Sequence, residues 1–219
     1  MQGFETLPAL ADVLGAYPEA NKIIDAAIKG GRNSKMAIAR LWLSEGIPFA
    51  FKDCPATYES VRVWLSSRIL VHPKEISITG SARLGQSLAP NKLGTEFSHK
   101  SDLDLFVVSN DLFNRMVTDF NQFSFDFEVG NINPNNETEE YFWSSNVKGT
   151  PSTINRGFID SKSVPNNPKY STTQSMANSL WLLKAKLDVT PNAPKVTKAS
   201  IRCYKGWPEY VNQIMISLA

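Results

Sequence analysis

The chain has 219 residues, of which 42% are hydrophobic and 20% charged, and its formal net charge is +2. This balance excludes a disordered or fibrous chain, and the small charge gives no general attraction to nucleic acid. Since domains average roughly 150 residues, we expect one unit spanning residues 1–219.

Cysteine usage and hydropathy indicate the compartment. Cys54 and Cys203 lie far apart and neither has a CxxC partner, which favours a reducing environment. The N-terminal segment lacks a basic stretch followed by an apolar one, and no apolar run approaches about 18 residues. We therefore expect a cytoplasmic protein without a membrane span.

The first 72 residues are predicted to form a helical lobe. The apolar periodicity predicts helices over residues 8–29, with a break near Pro18, over 34–44 and over 57–70. Gly30 and Gly31 close the first helix, and His72-Pro73 closes the third.

From residue 73 the pattern changes to that of a mixed unit. Period-two alternation predicts strands at 75–79, 103–108 and 199–204. Helices are expected over 111–123, 179–187 and 208–218, and the alternating run 124–128 suits either a helix or a strand. The Asn-, Ser-, Thr- and Pro-rich stretch 130–179 is predicted to contain only short elements between loops. Overall we expect an α+β fold with a small mixed sheet.

Two carboxylates open the second predicted strand. In Ser101-Asp102-Leu103-Asp104, alternation places Asp102 and Asp104 on one face and sends Leu103 to the other. Such a pair repels itself unless a cation lies between, and Mg²⁺ accepts one or two carboxylates together with substrate phosphates. Taken alone, an Asp-x-Asp is most often a solvated turn. A calcium loop is excluded because Phe106 occupies the next ligand position.

A glycine and a serine end the first predicted strand. A strand that turns through Gly80-Ser81 into a helix presents unpaired N–H groups to an anion, and Gly80 permits close approach of a phosphate. Arg83 is a candidate positive group beside it. The segment is not a Walker loop, because Gln86 replaces the lysine. The conjunction of this turn with the Asp pair predicts that a nucleoside triphosphate binds beside a metal ion.

The stretch TGSARLGQSLAPNKLGTEFSHKSDLDLFVVS resembles the DNA polymerase β-like nucleotidyltransferase superfamily, in which Gly-Ser precedes Asp-x-Asp on the next strand. It is most similar to the bacterial antiphage-defence branch, near the cyclic-oligonucleotide synthases and the Hailong-system nucleotidyltransferases. The resemblance implies a palm fold, Mg²⁺ or Mn²⁺ as cofactor, and transfer from a (deoxy)nucleoside triphosphate to an acceptor hydroxyl. It also implies a neighbouring effector or toxin as partner.

The same resemblance implies a third metal-binding carboxylate on a later strand. Asp160, preceded by an apolar pair, is our choice as catalytic and metal-binding residue, although a loop cap explains it equally well. Asp126 and Glu128 are the other candidates, and the solvated face of a helix explains them better.

Basic residues are dense near the C-terminus. Six of them accompany a single acid, Asp188, between residues 184 and 205, namely Lys184, Lys186, Lys195, Lys198, Arg202 and Lys205. Lys184 is the candidate for holding the triphosphate, and the cluster as a whole suits an oligonucleotide product. A solvated face is the commoner explanation of such a run. Trp181 and Trp207 nearby suit base stacking, but core packing is more usual.

The leading functional hypothesis is therefore template-free oligonucleotide synthesis in antiphage defence, with pyrophosphate released. Two alternatives remain. The chain is an antitoxin that transfers AMP to a partner protein, or it is an inactive palm that regulates a toxin or effector.

Overall fold

The computed structural model describes residues 3–218. Within them the helices are α1 (Ala20–Leu41), α2 (Pro55–Ile69), α3 (Ser81–Leu84), α4 (Asn110–Glu128), α5 (Glu137–Asn155), α6 (Ser171–Val189) and α7 (Trp207–Ser217). The strands are β1 (Ile76–Ile78), β2 (Leu103–Val108), β3 (Phe158–Asp160) and β4 (Ala199–Tyr204).

The strands form one mixed sheet in the order β1-β2-β4-β3. The central pair, β2 and β4, runs parallel, and the two short edge strands run antiparallel to their neighbours. The predicted α+β class, with a small mixed sheet and helices at both ends, is confirmed. The bounds predicted for β2 and β4 are also confirmed.

One face of the sheet, here called the back face, carries the main core. Leu103, Leu105 and Val107 of β2 and Ile201 and Cys203 of β4 are at most 1% exposed. They pack in one apolar cluster with side chains of α2, α4 and α6. The alternation that predicted these strands is therefore the alternation between this core and the opposite face.

The opposite face, here called the front face, is divided in two. Its lower half, the part around Phe106, carries an aromatic cluster. In this cluster the rings of Phe106 and Tyr210 stack with centroids 4.3 Å apart. The Tyr210 hydroxyl donates to the carbonyl of Leu43 at 2.8 Å, which ties α7 to the N-terminal lobe. The upper half is polar and contains the site described below.

The N-terminal lobe differs from the prediction in its first segment. Residues 8–18 form only a short 3-10 turn, Pro8–Leu10, and the α-helix begins at Ala20, after Pro18. Prolines at both ends remove N–H donors that a helix would need. The predicted break at Gly31 is confirmed, because this residue has φ +55° and ψ −143° inside α1.

The prediction of short elements over 130–179 is wrong. This region contains the 19-residue helix α5, and α6 begins at Ser171 instead of Ser179. Asn136 caps α5 by accepting from the Glu139 amide at 3.0 Å, and three glutamates lie in the first turn of that helix. Capping and the helix dipole thus stabilise a sequence of low helical propensity.

Two further details complete the fold. Residues 124–128, left open by the sequence, continue α4 as a helix. Among the helices of residues 3–218, none is long and apolar enough to cross a membrane.

Candidate active site

The predicted carboxylate pair lies on the upper front face. Asp104 is in register with Ser200 of β4, whose hydroxyl donates to Asp104 Oδ1 at 2.6 Å. Asp102 accepts a hydrogen bond from the Thr197 hydroxyl and lies 3.2 Å from the Lys198 ammonium. Within the described residues no group donates to Asp104 Oδ2, so this oxygen is open to the solvent side.

The environment of Asp102 favours its charged form. Burial opposes ionisation, but the hydrogen bond from Thr197 and the Lys198 ammonium outweigh it and lower the pKa of Asp102 below its ordinary value. Two carboxylates on one face offer the oxygen ligands that suit a hard divalent cation such as Mg²⁺.

The Gly80-Ser81 turn lies directly against the carboxylates. The Thr79 amide donates to the Asp104 carbonyl at 2.9 Å. Gly80 has φ +68° and ψ −153°, a conformation that side chains rarely allow. A Cβ built on Gly80 would lie 3.7 Å from Asp104 Oδ2. The Gly-Ser turn and the Asp pair, which are separate in the sequence, are therefore neighbours in the folded chain.

The helix after this turn is shorter than its predicted role requires. α3 has only four residues, so its dipole adds little to anion binding. What remains for a phosphate is the Ser81 hydroxyl and the amides of Ser81 and Ala82, which donate to no oxygen in residues 3–218.

A cleft of about 1180 Å³ contains these groups. Its walls include Gly80, Ser81, Asp102, Asp104 and Asp160, with α7 closing one side. Lys92, Lys100 and Arg202 supply positive charge along it. The structure therefore brings five of the seven predicted site residues into one cavity that is large enough to hold a ligand.

Asp160 lines the cleft, but its carboxylate already forms an ion pair with an arginine. It ends β3 opposite Arg202 and forms a two-pronged ion pair with it, Nε to Oδ1 at 2.8 Å and Nη2 to Oδ2 at 3.0 Å. The guanidinium also lies over the Phe158 ring, 4.7 Å from its centroid. No group of three acidic, His or Cys side chains that suits a metal forms within the described residues. Asp160 as a metal ligand stays a prediction that requires this pair to open.

Arg83 does not reach the cleft, which corrects its predicted phosphate-binding role. Its side chain is buried, and the guanidinium donates to the carbonyls of Trp42 at 2.9 Å and Gly46 at 3.0 Å. Burial lowers the pKa of Arg83. Arg83 binds the end of the N-terminal lobe to the turn that carries Ser81.

Lys184 is also excluded from the cleft. It lies on α6, which covers the back face, and it pairs with Asp188 one turn later. The basic cluster is divided in the same way. Lys195 donates to the Asp188 carbonyl at the end of α6, while Arg202 lies in the cleft. The core-packing prediction for Trp181 is wrong, because its side chain is 71% exposed.

The other candidate acids belong to the back of the molecule. Asp126 is 4% exposed and accepts hydrogen bonds from Gln122, Asn131 and Tyr170, which corrects its interpretation as a solvated residue. Glu128 accepts only from Ser124, at 3.4 Å. Neither lines the cleft.

Sequence reasoning missed the partners of the carboxylates. Thr197 and Ser200 hold Asp102 and Asp104, and Arg202 holds Asp160. The alternation over 199–204 contained the signal, because it places Ser200 and Arg202 on one face. The alternation does not reveal that β4 pairs with β2, and this pairing is what brings Ser200 to Asp104.

Comparison with known proteins adds no assignment. No protein-family model, curated protein or solved structure matches the chain significantly. The family resemblance therefore stands on the motif and on the geometry of the cleft alone.

Proposed function

We propose that the chain is a metal-dependent nucleotidyltransferase that moves nucleotides from a (deoxy)nucleoside triphosphate to an acceptor hydroxyl. The observation that carries the proposal is the close approach of Gly80 to Asp104 within a large cleft, where a Cβ built on Gly80 would lie 3.7 Å from Asp104 Oδ2. It joins a turn that allows close phosphate approach to an open carboxylate oxygen.

The Gly-Ser turn and the carboxylate pair have different roles in the reaction. The Ser81 hydroxyl and the free amides beside it bind the phosphates, and Asp102 and Asp104 hold Mg²⁺ or Mn²⁺, which would stabilise charge on the reacting phosphate. The acceptor hydroxyl gives its proton to solvent water as its oxygen bonds to the α-phosphorus. The bond from that phosphorus to the bridging oxygen breaks, and pyrophosphate leaves.

Repeated transfer gives a template-free oligonucleotide, which we place in antiphage defence in the cytoplasm with a neighbouring effector as partner. The cleft has lysines along it, and none of the helices in the described residues could span a membrane. Retention of a growing phosphate backbone by those lysines would depend on salt.

The test is incubation of the pure chain with Mn²⁺ or Mg²⁺ and each labelled triphosphate, followed by a denaturing gel. A ladder and released pyrophosphate are expected from the wild type and are absent from Asp102→Ala. Asp25→Asn, an exposed carboxylate on α1, is the matched control and keeps the ladder. One labelled protein band without a ladder would instead indicate transfer of AMP to a protein.

A second candidate is a nucleotide-binding regulatory subunit without transfer activity. The Asp160–Arg202 ion pair favours it, because the pair occupies the carboxylate that the family resemblance assigns to the metals. Triphosphate binding without pyrophosphate release, by the wild type and by Asp160→Asn alike, would support this candidate.

A further inference from the structure

A second cavity lies beside the cleft, at the edge of the sheet where β3 ends. Its volume is about 430 Å³, within the range of small-molecule sites. Asp160, Ser200 and Arg202 belong to the walls of both cavities. The remaining wall comes from α5, the helix that sequence reasoning missed, and from the chain that follows β3.

Most of the residues that line this cavity carry a hydroxyl or an amide. Its polar neutral members are Ser145, Asn146, Thr150, Thr153, Ser161, Ser163 and Ser200. The Asn146 amide donates to the Lys162 carbonyl at 2.8 Å, so α5 is fixed to the opposite wall. The cavity is therefore preformed, and its walls suit a ligand with many hydroxyl groups.

Two hydroxyls in it are available to a ligand. Thr150 and Ser163 both line the cavity, and neither hydroxyl forms a hydrogen bond with another group in residues 3–218. Neither oxygen is among the buried, unsatisfied atoms of these residues, so both are open to the space of the cavity. A polar ligand there can donate to them and accept from them.

The charge of the cavity favours an anion. Lys162 and Arg202 are its cations, and its one carboxylate, Asp160, is already bound to Arg202. One positive charge therefore remains, on Lys162. A phosphate satisfies this ammonium, and sugar hydroxyls satisfy the threonine and serine hydroxyls.

We propose that this second cavity binds the sugar–phosphate part of the acceptor nucleotide. The proposal rests on the function proposed above, since only a transferase needs an acceptor. Ser200 connects the two sites, because it lines the cavity while its hydroxyl donates to Asp104. An acceptor held there lies beside the cleft that contains the carboxylate pair, because Asp160, Ser200 and Arg202 line both cavities.

The test measures binding apart from catalysis. The probe is ribose 5-phosphate, titrated calorimetrically without metal into the Asp104→Ala chain, with ribose and inorganic phosphate as comparators. Thr150→Val keeps the side-chain shape and removes the hydroxyl, and Lys162→Gln removes the charge. We expect each to weaken the binding of ribose 5-phosphate about tenfold, as the loss of a hydrogen bond to a charged ligand does.

The matched controls lie on the same helix, outside the cavity. Ser152→Ala and Lys148→Gln repeat the two chemical changes on exposed positions of α5, and they leave the affinity unchanged. Far-ultraviolet circular dichroism verifies that each variant is folded.

The outcomes separate the two proposals. Binding that both Thr150→Val and Lys162→Gln weaken supports the cavity even if no transfer is ever found. Equal binding by inorganic phosphate, affinity indifferent to both variants, or absence of binding would overturn the acceptor site. Absence of a product ladder from the wild-type reaction would contradict the proposed transferase activity and would leave the binding result for the cavity unaffected.

Discussion

The two faces of the sheet perform different tasks with alternate residues of the same strand. On the back face Leu105 is 1% exposed and packs with α4 and α6. One residue earlier, Asp104 faces a cleft, and within the described residues its carboxylate accepts a hydrogen bond only from Ser200. The cohesion of the strand thus comes from one face, and the other is free to carry groups that repel each other.

The front face itself repeats this division along its length. Below the carboxylates, Phe106 stacks on Tyr210 and is 1% exposed. Above it, Asp104, Ser200 and Arg202 of the two central strands face the cleft, whose other walls include apolar side chains such as Leu43 and Ile214. The aromatic cluster holds α7 against the sheet, and α7 in turn forms one wall of the cleft. Functional sites commonly sacrifice stability in this manner.

The largest expected effect is on activity at the front face. Asp104→Ala should lower nucleotide transfer by about a thousandfold or more, because metal-ion stabilisation of the reacting phosphate supplies several kcal/mol. The free energy of unfolding should change by less than about 1 kcal/mol, because the lost carboxylate repels Asp102. Initial rates of pyrophosphate release and urea denaturation measure the two quantities.

Asp25→Asn provides the control for a lost surface charge. Full transfer activity in Asp104→Ala would exclude the carboxylate pair from catalysis.

The back face should respond in the opposite way. Leu105→Ala removes a side chain from the main core and should lower the free energy of unfolding by about 2–5 kcal/mol. Transfer per folded molecule should remain. Urea denaturation followed by tryptophan fluorescence gives the first value, and rates below the transition give the second. The control is Phe125→Ala, an apolar residue on α4 that is 57% exposed and should cost less than about 0.5 kcal/mol.

Arg83 tests whether a basic residue beside the motif serves the fold or the ligand. Arg83→Lys cannot satisfy the carbonyls of Trp42 and Gly46 together, so we expect a loss of about 1–3 kcal/mol in stability. The triphosphate affinity of the folded variant should equal that of the wild type. Arg32→Lys, on the exposed side of α1, is the control. Unchanged stability with weakened triphosphate binding would return Arg83 to the site.

The fold was predictable where hydrophobic periodicity is strong and local. The bounds of β2 and β4 followed from alternation alone, because one face of each strand is fully apolar. α5 was missed because its stability comes from a cap, a favourable dipole and contacts with β3, while its composition resembles a loop. Such tertiary and terminal effects leave little periodic signal.

The site was predictable to the extent that it is contiguous in sequence. Gly80, Ser81, Asp102 and Asp104 follow from two strand ends. Arg83 and Lys184 do not line the cleft, and charge along the chain does not say which side of an element a residue occupies. The pairing of Asp160 with Arg202 depends on β3 joining the sheet next to β4, which no local pattern contains.

The smallest expected effect compares carboxylates across the sheet. Asp126, behind the back face, accepts hydrogen bonds from Asn131, Tyr170 and Gln122, and the first of these contributes most to lowering the pKa of Asp126 below its ordinary value. A group with a lowered pKa stabilises the fold above its unfolded pKa of about 3.9. This stabilisation is lost as pH falls through the folded value.

Asp126→Asn should therefore be less stable than the wild type at pH 6. This difference should narrow below about pH 4, where the carboxylate begins to protonate in the unfolded chain before it does so in the folded one. Urea denaturation at pH 6, 4 and 3 measures it. Tyr170→Phe removes one of the three donors and should show a weaker form of the same pH dependence. A stability difference that stays constant from pH 6 to pH 3 would mean that the charge of Asp126 contributes nothing. Transfer activity of the folded Asp126→Asn chain should equal that of the wild type, because this acid stabilises helix packing and does not reach the cleft.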